Sequence, residues 1–193
     1  MTDLRCVLIS GHHATGKTGL LRWAQSRISG NGYSWHSESG GKSICTQAPA
    51  RALEALLPLW CNSAYHTLVI EGTRVYSTVF RAVMEAKDVG RELWTLQLLH
   101  SVEVGRVHIR ARCTAKGKDY RADFWDAPAA ESLFARRYVH AHARYLPWFE
   151  EHGVRLGEHE ALWVDEHYAV ISQAQAWLAK ALRFKVLGRA VHL

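Results

Sequence analysis

At 193 residues the chain has the length of one domain, 1–193, able to bury roughly 70% of its unfolded surface, and no apolar run approaches the 18 residues that a membrane helix needs. A formal charge of +6 and a pI near 9.3 point to a polyanionic partner such as nucleotide or nucleic acid, with a solvated basic surface as the alternative. Cys6, Cys45, Cys61 and Cys113 lie far apart without C-x-x-C spacing, arguing against a disulfide framework or zinc site, and the opening M-T-D-L-R has no signal-peptide core, so a soluble cytoplasmic protein is expected.

Leu4 to Ser10 is a near-continuous apolar run, the pattern of a parallel strand covered on both faces. It leads into G-H-H-A-T-G-K-T, where Gly11, Gly16, Lys17 and Thr18 fill G-x-x-x-x-G-K-[ST] between a strand and a helix. This is a nucleotide-binding P-loop. Gly11 and Gly16 are expected to clear a path to the phosphates, while the loop amides and the positive end of the helix bind anions. Lys17 is expected on the β- and γ-phosphates of ATP, and Thr18 on Mg²⁺. His12, His13, Ala14 and Thr15 fill the variable positions. The two histidines either touch phosphate and seal the site or are exposed filler.

The helix opened by Lys17 has apolar spacing to Ile28 and ends at Gly30-Asn31-Gly32. Tyr33 to His36 reads as a second strand, followed by a polar loop from Ser37 to Ser43 that carries Glu38. Pro49 to Trp60 is a predicted helix, His66 to Ile70 a third strand ending in Glu71-Gly72-Thr73-Arg74, and Val75 to Ala86 another helix. Leu93 to Leu99 makes a fourth strand, and this alternation is the signature of a parallel α/β sheet.

From Val102 the pattern turns helical and basic, with Arg106, Arg110, Arg112, Lys116, Lys118 and Arg121 set against Asp119 alone between residues 106 and 121. Tyr120 to Pro128 reads as irregular. A long helix is predicted from Ala129 to His152, with Pro147 kinking or breaking its last turn. Ala161 to Val164 is a fifth short strand, and Tyr168 to Phe184 a final amphipathic helix. Twelve histidines invite a metal site, but His140 and His142 would project from different helix faces and no H-E-x-x-H occurs. Trp23, Trp60, Trp94, Trp163 and Trp177 fall on apolar faces, whereas Trp35, Trp125 and Trp148 are candidates for stacking a base.

Phosphoryl transfer leaves a protein mainly positioning and charge neutralisation to supply. Glu71, ending an apolar strand, is the candidate to hold a magnesium-bound water or take the acceptor's proton; capping the next helix is its structural alternative. Arg74 is the candidate ligand for an acceptor phosphate, at the rim where open α/β sheets bind ligands. Glu38 is a candidate base, and Trp35 a candidate stacking surface for the acceptor.

The P-loop at Gly11 to Thr18, Glu71-Gly72-Thr73-Arg74, and Glu103-x-x-Arg106-x-x-x-Arg110-x-Arg112 before a basic stretch together resemble the P-loop kinases of the nucleoside- and nucleotide-kinase type. The resemblance implies a three-layer P-loop NTPase fold with five parallel strands in order 2-3-1-4-5 and a basic lid at about 106–128. It also implies ATP and Mg²⁺ as cofactors and Arg106, Arg110 and Arg112 on the ATP phosphates, Arg110 with a catalytic role. The loop Asp165-Glu166-His167 would border the adenine. Adenylate kinases have Asp-Gly-x-Pro-Arg where this chain has Glu71-Gly72-Thr73-Arg74, which departs from a monophosphate acceptor. A narrower resemblance, through Ala135 to Tyr145 (A-R-R-Y-V-H-A-H-A-R-Y), is to phage kinases that phosphorylate 5-hydroxymethyluracil within DNA. The expected activities are therefore such a kinase, a nucleoside-monophosphate or small-metabolite kinase, or a P-loop ATPase or binding protein without phosphotransfer.

Overall fold

The computed structural model describes residues 4–28, 32–37, 54, 55, 58, 66–73, 91–130 and 141–184. Five strands, β1 (Leu4–Gly11), β2 (Tyr33–Ser37), β3 (Thr67–Glu71), β4 (Arg91–Leu99) and β5 (Arg155–Trp163), form one sheet in the order β2-β3-β1-β4-β5. Every pairing is parallel. The expected strand order and fold class are the observed ones. Parallel strands are covered on both faces, and accordingly Cys6 to Ile9 and Leu68 to Ile70 are wholly buried.

Helices α1 (Lys17–Gln25) and α5 (Ile171–Ala181) pack on one face of the sheet. Leu20, Leu21, Trp23 and Ala24 of α1 meet Ala174, Trp177 and Leu178 of α5 over Val7, Ile9, Val69, Leu96 and Leu98. Helix α2 (Val102–Ala115) and the single turn α3 (Ala122–Trp125) build a smaller core at the carboxyl end of the sheet, where Ile109 and Ala130 gather Val102, Tyr120 and Trp125 against Ala14 of the P-loop. Helix α4 (Ala141–Glu151) packs on β5 and buries Phe149 completely. No helix among the described residues is long and apolar enough to cross a membrane.

Several expected boundaries move, each for a local reason. β5 begins at Arg155 rather than Ala161, because an edge strand with one covered side reads as polar. Gly157 fits there because a Cβ would lie 2.3 Å from Trp94 Nε1. The last helix starts at Ile171, since Asp165 Oδ1 accepts from the His167 and Ala169 amides and holds the preceding stretch as a turn. Helix α4 runs through Pro147 instead of breaking; Ala143, whose carbonyl loses its partner, is exposed to water. Trp163 is 56% exposed at the end of the edge strand rather than in the core, whereas Trp23, Trp94 and Trp177 are buried as expected. The expected helix Val75–Ala86, most of Pro49–Trp60 and residues 131–140 of the long helix lie outside the described residues.

Candidate active site

The P-loop joins β1 to α1, and its geometry is set by strained backbone held from outside. Gly11 has φ 134, and a Cβ there would sit 1.9 Å from the Leu98 carbonyl oxygen. A glycine is therefore required there by the neighbouring strand β4, apart from any role in the phosphate path. Gly16 caps α1 at φ 89, where a Cβ would meet Ile171 Cδ1 at 3.3 Å. Ala14, a non-glycine residue at φ 59, is clamped by Tyr168, whose hydroxyl donates to the Ala14 carbonyl over 2.8 Å. Alternation of this kind turns successive amides inward to make an anion-binding concavity.

Histidines brace the loop from below. His12 has no exposed surface, and its Nδ1 accepts the His100 amide at 3.2 Å. Burial, then the nearby His100 and Lys17, push its imidazole down to about 3, so the ring is neutral. It is thus neither phosphate ligand nor exposed filler, but a pin between the P-loop and the end of β4. His100 Nε2 lies 2.8 Å from the His13 carbonyl, and burial lowers its pKa as well. Next comes His108 of α2, edge-on to His100 at 6.0 Å and stacked on Tyr168 at 4.1 Å. Burial raises the Tyr168 pKa, keeping the phenol a donor.

Above the loop lies a cavity of about 460 Å³ lined by His13 to Gly19, Arg22, Glu71, Arg112, Lys116 and Tyr168. Lys17 is buried, its Nζ donating to the carbonyls of Gly11 at 3.2 Å and His12 at 2.5 Å. The Thr18 hydroxyl donates to Glu71 Oε1 at 2.8 Å. Because that commits its one proton, the Thr18 lone pairs are left for a cation, and the carboxylate beside them is almost wholly buried at 1% exposure. Hydroxyl and carboxylate are hard oxygen donors of the kind that suits Mg²⁺, so the residues present fit that ion.

The arginines of α2 divide in two. Arg112 and, just past the helix end, Lys116 line the cavity, and neither is paired with a carboxylate among the described residues. Arg106 instead donates to the carbonyls of Trp125 and Asp126, at 3.1 Å and 3.2 Å, and pairs with the Asp126 carboxylate. Arg110 reaches Asp126 Oδ2 at 3.5 Å and lies over the Tyr120 ring at 4.5 Å. These two hold α3 to α2 and are not among the residues that line the cavity, whereas the expectation put them on the phosphates. Trp35 stacks on Tyr33 at mid-strand and packs against the main core, so it does not face the cavity either. Trp125 stands edge-on to His13 at 6.1 Å. Glu38 and Arg74 lie outside the described residues.

Lys116, Tyr168, Arg22 and Ser37 are at the site without having been singled out for it from sequence. Lys116 was visible in the basic run. Arg22 follows Thr18 by one helical turn on α1, whereas Ser37 depends on strand order and Tyr168 on a turn that apolar periodicity does not reveal.

No protein-family model matches the chain, and no curated protein matches its sequence. Among solved structures, a protein of Chloroflexus aurantiacus provisionally assigned as a kinase superposes with a TM-score of 0.55 at 15% identity, covering 95% of this chain and 98% of that one. The two share a fold. A structure from the PezAT chromosomal toxin–antitoxin system of Streptococcus pneumoniae gives 0.46 at 16% identity, over 81% and 68% of the respective chains. Shikimate kinase of Bacteroides thetaiotaomicron gives 0.36 at 11%, over 94% and 99%. At scores this low the last two bear on neither fold nor chemistry.

Proposed function

We propose that the protein is an ATP-dependent phosphotransferase acting on a hydroxyl of a nucleotide or nucleic acid. The observation that carries this is the cavity itself, where Lys17, Arg112 and Lys116 converge on a P-loop whose threonine is already oriented by Glu71. Its kinase-assigned structural neighbour from Chloroflexus aurantiacus supports the same class.

Thr18 and Glu71 are the residues that would hold Mg²⁺, which when bound would supply positive charge to offset the negative charge of the triphosphate. Thr18 would hold it directly and Glu71 through a water. Lys17 would exchange the Gly11 and His12 carbonyls for phosphate oxygens, while Arg112 and Lys116 close over the γ-phosphate from α2. The acceptor oxygen then forms a bond to the γ-phosphorus as the bond to the β-phosphate oxygen breaks, giving a phosphate ester and ADP. The acceptor's proton passes to a carboxylate, for which Glu38 is the candidate, and Arg74 is the candidate ligand for an acceptor phosphate.

For the acceptor we propose the hydroxymethyl group of 5-hydroxymethyluracil in DNA. The sequence resemblance supports it, as do cations that continue past the cavity: Lys118 and Arg121 are exposed, and Arg121 lies 5.7 Å over the ring of Phe124, which is 43% exposed. An exposed aromatic amid cations is how proteins hold unpaired bases. Equilibrium binding tests this. A magnesium complex of a non-hydrolysable ATP analogue and a 5-hydroxymethyluracil oligonucleotide should both bind, and the DNA affinity should fall with salt by about 0.7–0.9 in log–log slope per phosphate neutralised. Absence of nucleotide binding would overturn the phosphotransferase. Nucleotide binding without DNA binding at low salt would leave a mononucleotide or metabolite kinase.

A further inference from the structure

The carboxylate that orients Thr18 is itself held by a second hydroxyl. Ser37, the last residue of β2, donates to Glu71 Oε1 over 2.5 Å, the same oxygen that takes the Thr18 proton at 2.8 Å. Topology brings this about: β2 and β3 are adjacent and parallel, and Ser37 and Glu71 are register partners at their carboxyl ends. The next strand over is β1, with Ile9 the partner of Glu71, so the P-loop begins two residues past that rung. Oε1 thereby has two donors for its two lone pairs, which fixes the plane of the carboxylate. Among the described residues Oε2 takes no hydrogen bond, and Glu71 lines the cavity.

We infer that Ser37 is a positioning residue for the magnesium site: by pinning Oε1 it aims Oε2 of Glu71 at the water shell of the ion. This role presupposes the phosphotransferase proposed above. Thr18 alone cannot supply the constraint, because its hydroxyl oxygen must also serve the cation, and pulling it toward the ion loosens its hold on Glu71. Ser37 stands on a different strand and is independent of that movement. Partners of this outer kind typically change metal affinity by 10–100-fold.

The test is ATP affinity by calorimetry, with magnesium and with EDTA, so that the readout is binding and not turnover. In the wild type, magnesium should tighten ATP. In Ser37→Ala that tightening should shrink by ~10-fold, with affinity in EDTA unchanged, and Ser37→Thr, which keeps the hydroxyl, should restore it. Ser37→Ala should add nothing in a Glu71→Gln background, since both act through one carboxylate. Full magnesium tightening in Ser37→Ala, or an equal loss in EDTA and magnesium, would overturn the assignment while leaving the phosphotransferase intact. Wild-type protein that binds ATP no better with magnesium would overturn both.

Discussion

His12 converts its burial into an acid sensitivity that can be calculated. Its pKa is about 3 in the folded chain against 6.5 for a free imidazole. A lowered histidine pKa means that the unfolded chain binds the proton first, so the contribution is present above 6.5 and is lost as pH falls from 6.5 toward 3. At pH 5.5 the loss from His12 alone is about 1.4 kcal/mol, and at pH 5 about 2 kcal/mol. For a chain of this length, 1.4 kcal/mol corresponds to a fall of about 3–6 °C in Tm. Burial also lowers the pKa of His36, His100 and His159, which adds to the loss with the same sign. The carboxylate of Asp165 is drawn below its usual 3.8 by the Ala169 and His167 amides, so its contribution is lost as pH falls through that region, below pH 5.5. Urea unfolding of wild type and His12→Gln at pH 7.5 and 5.5 isolates the term. The variant should be less stable at pH 7.5 and should lose about 1.4 kcal/mol less on acidification. An equal acid loss in both proteins, or none in the wild type, would refute the buried neutral imidazole.

The remaining predictions concern the cavity. Lys17→Ala should lower turnover by ~10²–10³-fold, or ~3–4 kcal/mol, as for loss of one preorganised donor; thermal unfolding should be little changed, and retained activity would remove Lys17 from the mechanism. Arg112→Ala and Lys116→Ala should each cut kcat/KM for ATP, whereas Arg110→Ala, whose exposed pair with Asp126 is worth under ~1 kcal/mol, should not. Gly11→Ala should cost ~3 kcal/mol, because a Cβ placed 1.9 Å from the Leu98 oxygen at φ 134 must push β1 and β4 apart; urea unfolding measures it, and a neutral result would mean the loop relaxes freely.

The fold and the P-loop were legible because both are local signals. Apolar runs alternating with helical periods announce a parallel sheet, and G-x-x-x-x-G-K-T announces its own strand–loop–helix context. What was not legible depends on contacts between distant segments. Nothing in R-L-G-E-H-E announces an edge strand, because half of its side chains face water. The arginine spacing of α2 does not say which helix face will turn to the cavity, and the structure puts Arg112 there while Asp126 pairs with Arg106 and Arg110. His12 reads as loop filler until β4 is placed beneath it. Ser37 reads as the first residue of a polar loop until β2 and β3 are paired in register.

Whether a phosphate is transferred is decided by following it. The protein, ATP labelled at the γ-position, magnesium, and a panel of 5-hydroxymethyluracil DNA, free nucleotides and sugars should yield label in an organic acceptor, greatest in the modified DNA, and Lys17→Ala should abolish most of it. Label appearing only as free phosphate, whatever acceptor is supplied, would contradict phosphotransfer and leave an ATPase.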